Sequence, residues 1–95
     1  MIVHVVTLKF KPEIPDAAAE AKRRLDALPA QIAQIRHYEV GLNVVESPRA
    51  HDLAIYSKFD SLDDLQTYQA HPAHLEVLDY IKSVMSDIVA VDYEL

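Results

Sequence analysis

The chain has 95 residues, 51% of them apolar, with one glycine and no cysteine. That length implies one domain, spanning residues 1–95, and it excludes disulfides and thiolate metal sites. A net charge of -6 leaves no basic patch to displace counterions from nucleic acid, and no run approaches the roughly 18 apolar residues that a membrane span needs.

Residues 2–11 alternate and are rich in β-branched side chains. Ile2, His4, Val6, Leu8 and Phe10 share one face; Val3, Val5, Thr7 and Lys9 share the other. Two largely apolar faces predict a central strand covered on both sides. The opening MIVHVVTLKF has no charged region followed by an apolar core and cleavage site, so cytoplasm is the expected location.

Pro12 and Pro15 mark a loop. Asp16 is the expected N-cap of the run AAAEAKRRLDAL, whose stripe is Ala18, Ala21, Leu25 and Leu28. The charges between them read as the solvated face. Pro29 ends the helix, and residues 31–35 predict one further turn. Residues 36–45 read as a second strand, with Tyr38, Val40, Leu42 and Val44 on one face and Gly41 marking a bulge or close approach. Residues 46–51 form a polar loop, and 52–59 a third strand. His37 and His51 are expected at the surface. Tyr38, Tyr56, Tyr80 and Tyr93 are expected in packing or subunit contacts.

Residues 61–81, SLDDLQTYQAHPAHLEVLDYI, read as two short helices joined at His71-Pro72. Ser61 followed three residues later by Asp64 is a helix-start signal. Pro72 cannot continue the first helix but suits the first turn of a second. Leu62, Leu65 and Tyr68 share a face; so do His74, Leu78, Ile81 and Met85. Tyr68 and His74 are therefore aimed at the core, while His71 faces solvent or caps the second helix. Ser86 and Asp87 close that helix, and 88–93 is the last strand.

The order β-α-β-β-α-β, with the second α split, predicts a ferredoxin-like α+β fold: a four-stranded antiparallel sheet with helices on one face. The other face carries Val3, Val5 and Thr7 and needs a cover. The simplest cover is a second copy, so a homodimer through the open sheet face is expected.

A phenol and an imidazole aimed at one apolar region predict a pocket between sheet and helices that takes a small apolar or aromatic ligand. A hydrogen-bonded core histidine is the plainer reading of His74. A metal site of His71, His74 and His4 is disfavoured, because Pro72 turns the first two apart and no carboxylate has a matching place. Haem ligation by His74 has no supporting feature, and no serine lies in a nucleophile-elbow context.

Three stretches carry a family resemblance. They are H-x-x-x-L-K-F-K (His4, Leu8, Lys9, Phe10, Lys11), F-D-S-L-x-D-L-x-x-Y-x-x-H-P-x-H (59–74), and the closing V-D-Y (91–93). The sequence resembles the stress-responsive A/B barrel, or Dabb, family of the dimeric α+β barrel superfamily. The resemblance implies a paired ferredoxin-like fold and a role related to stress. The motif is also similar to that of the plant olivetolic acid cyclase. That similarity implies a cofactor-free intramolecular aldol condensation, with His74 as general base, Tyr68 supporting it, and His4 as a third site residue. Small-molecule binding and a cyclase or lyase activity are the two functions to be distinguished.

Overall fold

The first strand sits where its alternation requires. In a computed structural model that describes residues 1–95, β1 (Ile2–Phe10) lies inside the sheet, and order along the sheet is β2-β3-β1-β4. The other strands are β2 (His37–Leu42), β3 (Leu53–Phe59) and β4 (Met85–Glu94), every neighbouring pair antiparallel. This is the ferredoxin-like arrangement.

Helices α1 (Ala17–Asp26), α2 (Leu62–Ala70) and α3 (Pro72–Val84) complete the chain, with a single 3-10 turn at Leu28–Ala30. The core lies between helices and sheet. Ile2, Val6, Leu8 and Phe10 of β1, with Leu53, Ile55 and Phe59 of β3, meet Ala21 and Leu25 of α1 and Val77, Ile81 and Val84 of α3. No helix is long and apolar enough to cross a membrane.

The break between α2 and α3 forms as the residues dictate. Ser61 is extended, and its side chain accepts a hydrogen bond from the Asp64 N–H. His71 is extended as well, the conformation favoured before proline. Its Nδ1 accepts from the Ala73 N–H at 3.0 Å and so caps α3.

Several local expectations are corrected. Asp16 makes no side-chain cap; its backbone is not in the extended conformation that would turn its carboxylate onto the first N–H groups. Residues 31–35 form no helical turn, although Ile32 is buried. Gly41 marks no bulge: the β2–β3 register runs through it unbroken, and an added Cβ would meet nothing within 4 Å. Leu62 is exposed, so the buried stripe of α2 is Leu65 and Tyr68. In α3 the stripe is Val77, Ile81 and Val84, leaving His74 and Leu78 half-buried on its flank.

The end of α3 differs most. Met85 turns extended immediately, and β4 begins there without a loop. Pairing with β1 draws the backbone out of the helix: the Lys11 N–H donates to Val84 O at 2.9 Å, and Phe10 pairs with Met85. Ser86 is the extra residue at the register shift between Lys9 and Phe10.

Capping gives a direct comparison of two helix starts. Ser61→Ala should lower stability by about 1 kcal/mol, and Asp16→Ala should leave it nearly unchanged, as read from urea unfolding midpoints. Equal losses at both positions would contradict the two cap geometries.

Candidate functional site

One register position of the sheet is polar on the side facing the helices. His4 of β1 pairs with Asp92 of β4 and with Ser57 of β3, and Ser57 pairs with Tyr38 of β2. The row Asp92, His4, Ser57, Tyr38 thus crosses all four strands. Ser57 is fully buried, and its hydroxyl donates to the His4 carbonyl at 3.0 Å. His4 is buried too, and its Nδ1 is hydrogen-bonded to the Asp92 carboxylate.

Tyr68 lies over this row. It is 1% exposed, its ring 6.2 Å from His4, 6.1 Å from Tyr38 and 5.0 Å from Phe59 between centroids. Its hydroxyl is 2.9 Å from that of Tyr38. Burial pushes the Tyr68 phenol up to about 12, while the Tyr38 hydrogen bond pulls it the other way. Tyr68 is therefore a neutral hydrogen-bond donor at any ordinary pH.

His74 stacks obliquely on Tyr68, 4.5 Å between ring centroids. Its Nδ1 is 3.0 Å from the Gln69 carbonyl oxygen. A carbonyl only accepts, so Nδ1 carries the proton and Nε2 keeps its lone pair. Nδ1 of His4 carries a proton for the same reason, since the Asp92 carboxylate also accepts. Burial is the main cause that lowers the His74 pKa, with His4 and His71 adding to it and the Gln69 bond opposing. His74 is thus a neutral base near pH 7.

His4, Tyr68 and His74 converge on one cavity of about 300 Å³. Its walls are otherwise almost wholly apolar, including Leu25, Val77, Leu78, Ile88 and Ala90, with Gln69 as a further polar liner. No lysine or arginine lines it. A larger, more polar hollow of about 520 Å³ lies between the β1–α1 and β2–β3 connections and contains none of these groups.

Asp92, Ser57 and Tyr38 escaped sequence reasoning as members of this arrangement. The V-D-Y ending and the alternation of β2 were visible, but the register that sets them beside His4 was not. His51 lies at the surface, on the open sheet face, Nδ1 2.9 Å from Thr7 Oγ1 and Nε2 3.2 Å from Asp87.

A family model described as the stress responsive A/B barrel domain matches residues 2–95. The chain belongs to this family. An uncharacterised protein of Streptomyces coelicolor is 34% identical, covering 99% of each chain. A dimeric ferredoxin-like protein of unknown function from Bacteroides fragilis superposes with a TM-score of 0.87 at 34% identity, over 99% of this chain and 95% of that one. A second, from Thermobifida fusca, gives 0.88 at 28% identity over 99% and 90%. Both structures are described as dimeric.

The His74 shift fixes a sign for stability against pH. Below its ordinary value of 6.5 the unfolded chain takes up a proton that the folded site resists. Stability from this group is complete above 6.5 and falls as pH drops from there through the lowered folded value. The His74 ring should titrate below 6.5 by NMR, and His74→Gln should flatten this part of the stability profile. Titration of His74 above 6.5 would contradict the neutral-base assignment.

Proposed function

We propose that this Dabb chain binds a small, uncharged, largely apolar carbonyl compound in the cavity between the sheet and the α2–α3 break. The observation that carries the reading is the free Nε2 of a neutral His74, set against Tyr68 in an otherwise apolar enclosure. The cavity volume is at the small end for ligand sites. An anionic guest would find no cation on the walls and the Asp92 carboxylate nearby. His4, Tyr68 and His74 are the ligand-contacting residues in this reading.

The second reading is catalytic, and the same lone pair favours it. With a linear poly-β-ketone as guest, His74 Nε2 takes the proton from a carbon flanked by carbonyls. The Tyr68 hydroxyl donates to the resulting enolate oxygen. That carbon attacks a distant ketone carbonyl of the same molecule, forming one C–C bond, and the new alkoxide recovers the proton from His74. His4, backed by Asp92, holds the second carbonyl or a water. The enclosure holds the two ends together and excludes solvent. No metal or redox group takes part in such a step.

Wild-type protein and His74→Ala, each mixed with a linear 1,3,5,7-tetraketone, should separate the readings. Cyclised product formed by wild type and lost at least about 100-fold in the variant supports catalysis; saturable binding without product supports the carrier reading. Neither binding nor product would overturn both.

Assembly belongs to the same proposal. Val89, Val91 and Tyr93 stand half-exposed on the sheet face away from the helices, beside Val5. A second copy laid face to face covers them, in keeping with the dimeric relatives. Val91→Glu, on an exposed position, should yield a folded monomer in sedimentation velocity where wild type gives a dimer. A wild-type monomer at tens of micromolar would remove this half of the proposal.

A further inference from the structure

Tyr38 has no place in the base chemistry above, yet it is the polar end of the row that crosses the sheet. It is half-buried, on an inward position of β2 between the exposed His37 and Glu39. Its only hydrogen bond is to the Tyr68 hydroxyl, at 2.9 Å. Either phenol can donate in such a pair. The two directions differ in which proton is left over.

With Tyr68 donating, the surplus proton belongs to Tyr38, which does not line the cavity. The structure gives that hydroxyl no second protein acceptor, and an unpaired proton on a partly buried hydroxyl costs free energy. With Tyr38 donating, the surplus proton is that of Tyr68, which does line the cavity. A guest oxygen or a water there can accept it. From this asymmetry we infer that Tyr38 is a positioning residue: it donates to the Tyr68 oxygen and so commits the Tyr68 proton to a carbonyl oxygen of the guest.

Two consequences reinforce the assignment. A phenol that accepts a hydrogen bond becomes a stronger donor through its own proton, because the two bonds polarise each other. The Tyr38 bond also favours the ionised form of Tyr68 against burial, in the same direction. Burial and the neighbouring Tyr68 meanwhile hold Tyr38 firmly in its neutral form, with its proton in place to donate. Ser57 fixes the row beneath them by spending its own proton on the His4 carbonyl, so it does not compete for either phenol. The arrangement selects guests with an acceptor oxygen over those whose only polar group is a donor.

This inference rests on the carbonyl-binding reading for its consequence, but its central claim is testable without a guest. In wild-type protein selectively labelled on tyrosine, one exchange-protected hydroxyl proton should be seen by NMR, bonded to the Tyr38 ring. A protected proton on Tyr68 instead, or none on either ring, overturns the inference. Acetophenone labelled at its carbonyl is the probe for the consequence. Bound to wild type, its C=O stretch should shift to lower frequency; Tyr38→Phe should reduce that shift and weaken affinity about 3- to 10-fold, and Tyr68→Phe should abolish the shift. An unaltered stretch and affinity in Tyr38→Phe, with the fold intact by circular dichroism, would leave Tyr38 a packing residue and overturn the positioning role. Failure of wild type to bind acetophenone would count against the carbonyl-binding reading, and the hydroxyl assignment would then decide this inference alone.

Discussion

The site depends on a row of polar groups that runs across the sheet and passes, at its buried centre, under one aromatic ring. The buried His4 and Ser57 and the half-buried Tyr38 would each cost free energy if left unpaired, while Asp92 at the sheet edge stays exposed. They are reconciled in pairs: Asp92 with His4, Ser57 with the His4 backbone, Tyr38 with Tyr68. No buried side-chain nitrogen or oxygen lacks a partner. Tyr68 is the keystone, since it satisfies Tyr38 and packs on Phe59, His4 and His74 together. The polar row also makes the sheet register hard to slip, because a shift of one residue in any strand would turn its polar group to the other face.

The break at Pro72 matters for the same reason. A continuous helix through residues 62–84 would carry Tyr68 and His74 on a fixed angular offset set by the helical repeat. Interrupting it at His71 frees that angle. The Gln69 carbonyl, close to the end of α2, is then within reach of His74 Nδ1 in the first turn of α3. The tautomer of His74 is thus a product of the break itself, and with it the direction in which the ring presents its lone pair.

The sequence made much of this legible. Alternating β-branched runs identified the four strands, and the Ser61 and His71-Pro72 signals identified two helices and their junction. The inward aim of Tyr68 followed from helical spacing, whereas His74 stands half-buried on the flank of the stripe that the spacing had placed it in. The partners of these residues did not follow, because β4 pairs with β1 from the far end of the chain, His4 and Asp92 being 88 residues apart, so no turn length sets their register. Asp92 could be read as a V-D-Y residue but not as the neighbour of His4. The end of α3 is hidden from the sequence for a related reason: residues 85–87 carry no helix-stopping glycine or proline, and it is the ladder to β1 that pulls them straight. Asp16 and Gly41 were residue types with strong local meanings that this backbone does not use.

The direct passage from α3 into β4 bears on how such a chain would diversify. With no slack at Val84–Met85, α3 cannot slide without dragging the whole ladder to β1. The room available to a guest is therefore governed by side-chain bulk, at Val77 and Leu78 on the helix and Ile88 and Ala90 on the strand. New guest preferences would arise by point exchanges at those four positions, each leaving the scaffold unmoved, and Ala90, the smallest, is where the shortest mutational route to a narrower chamber begins.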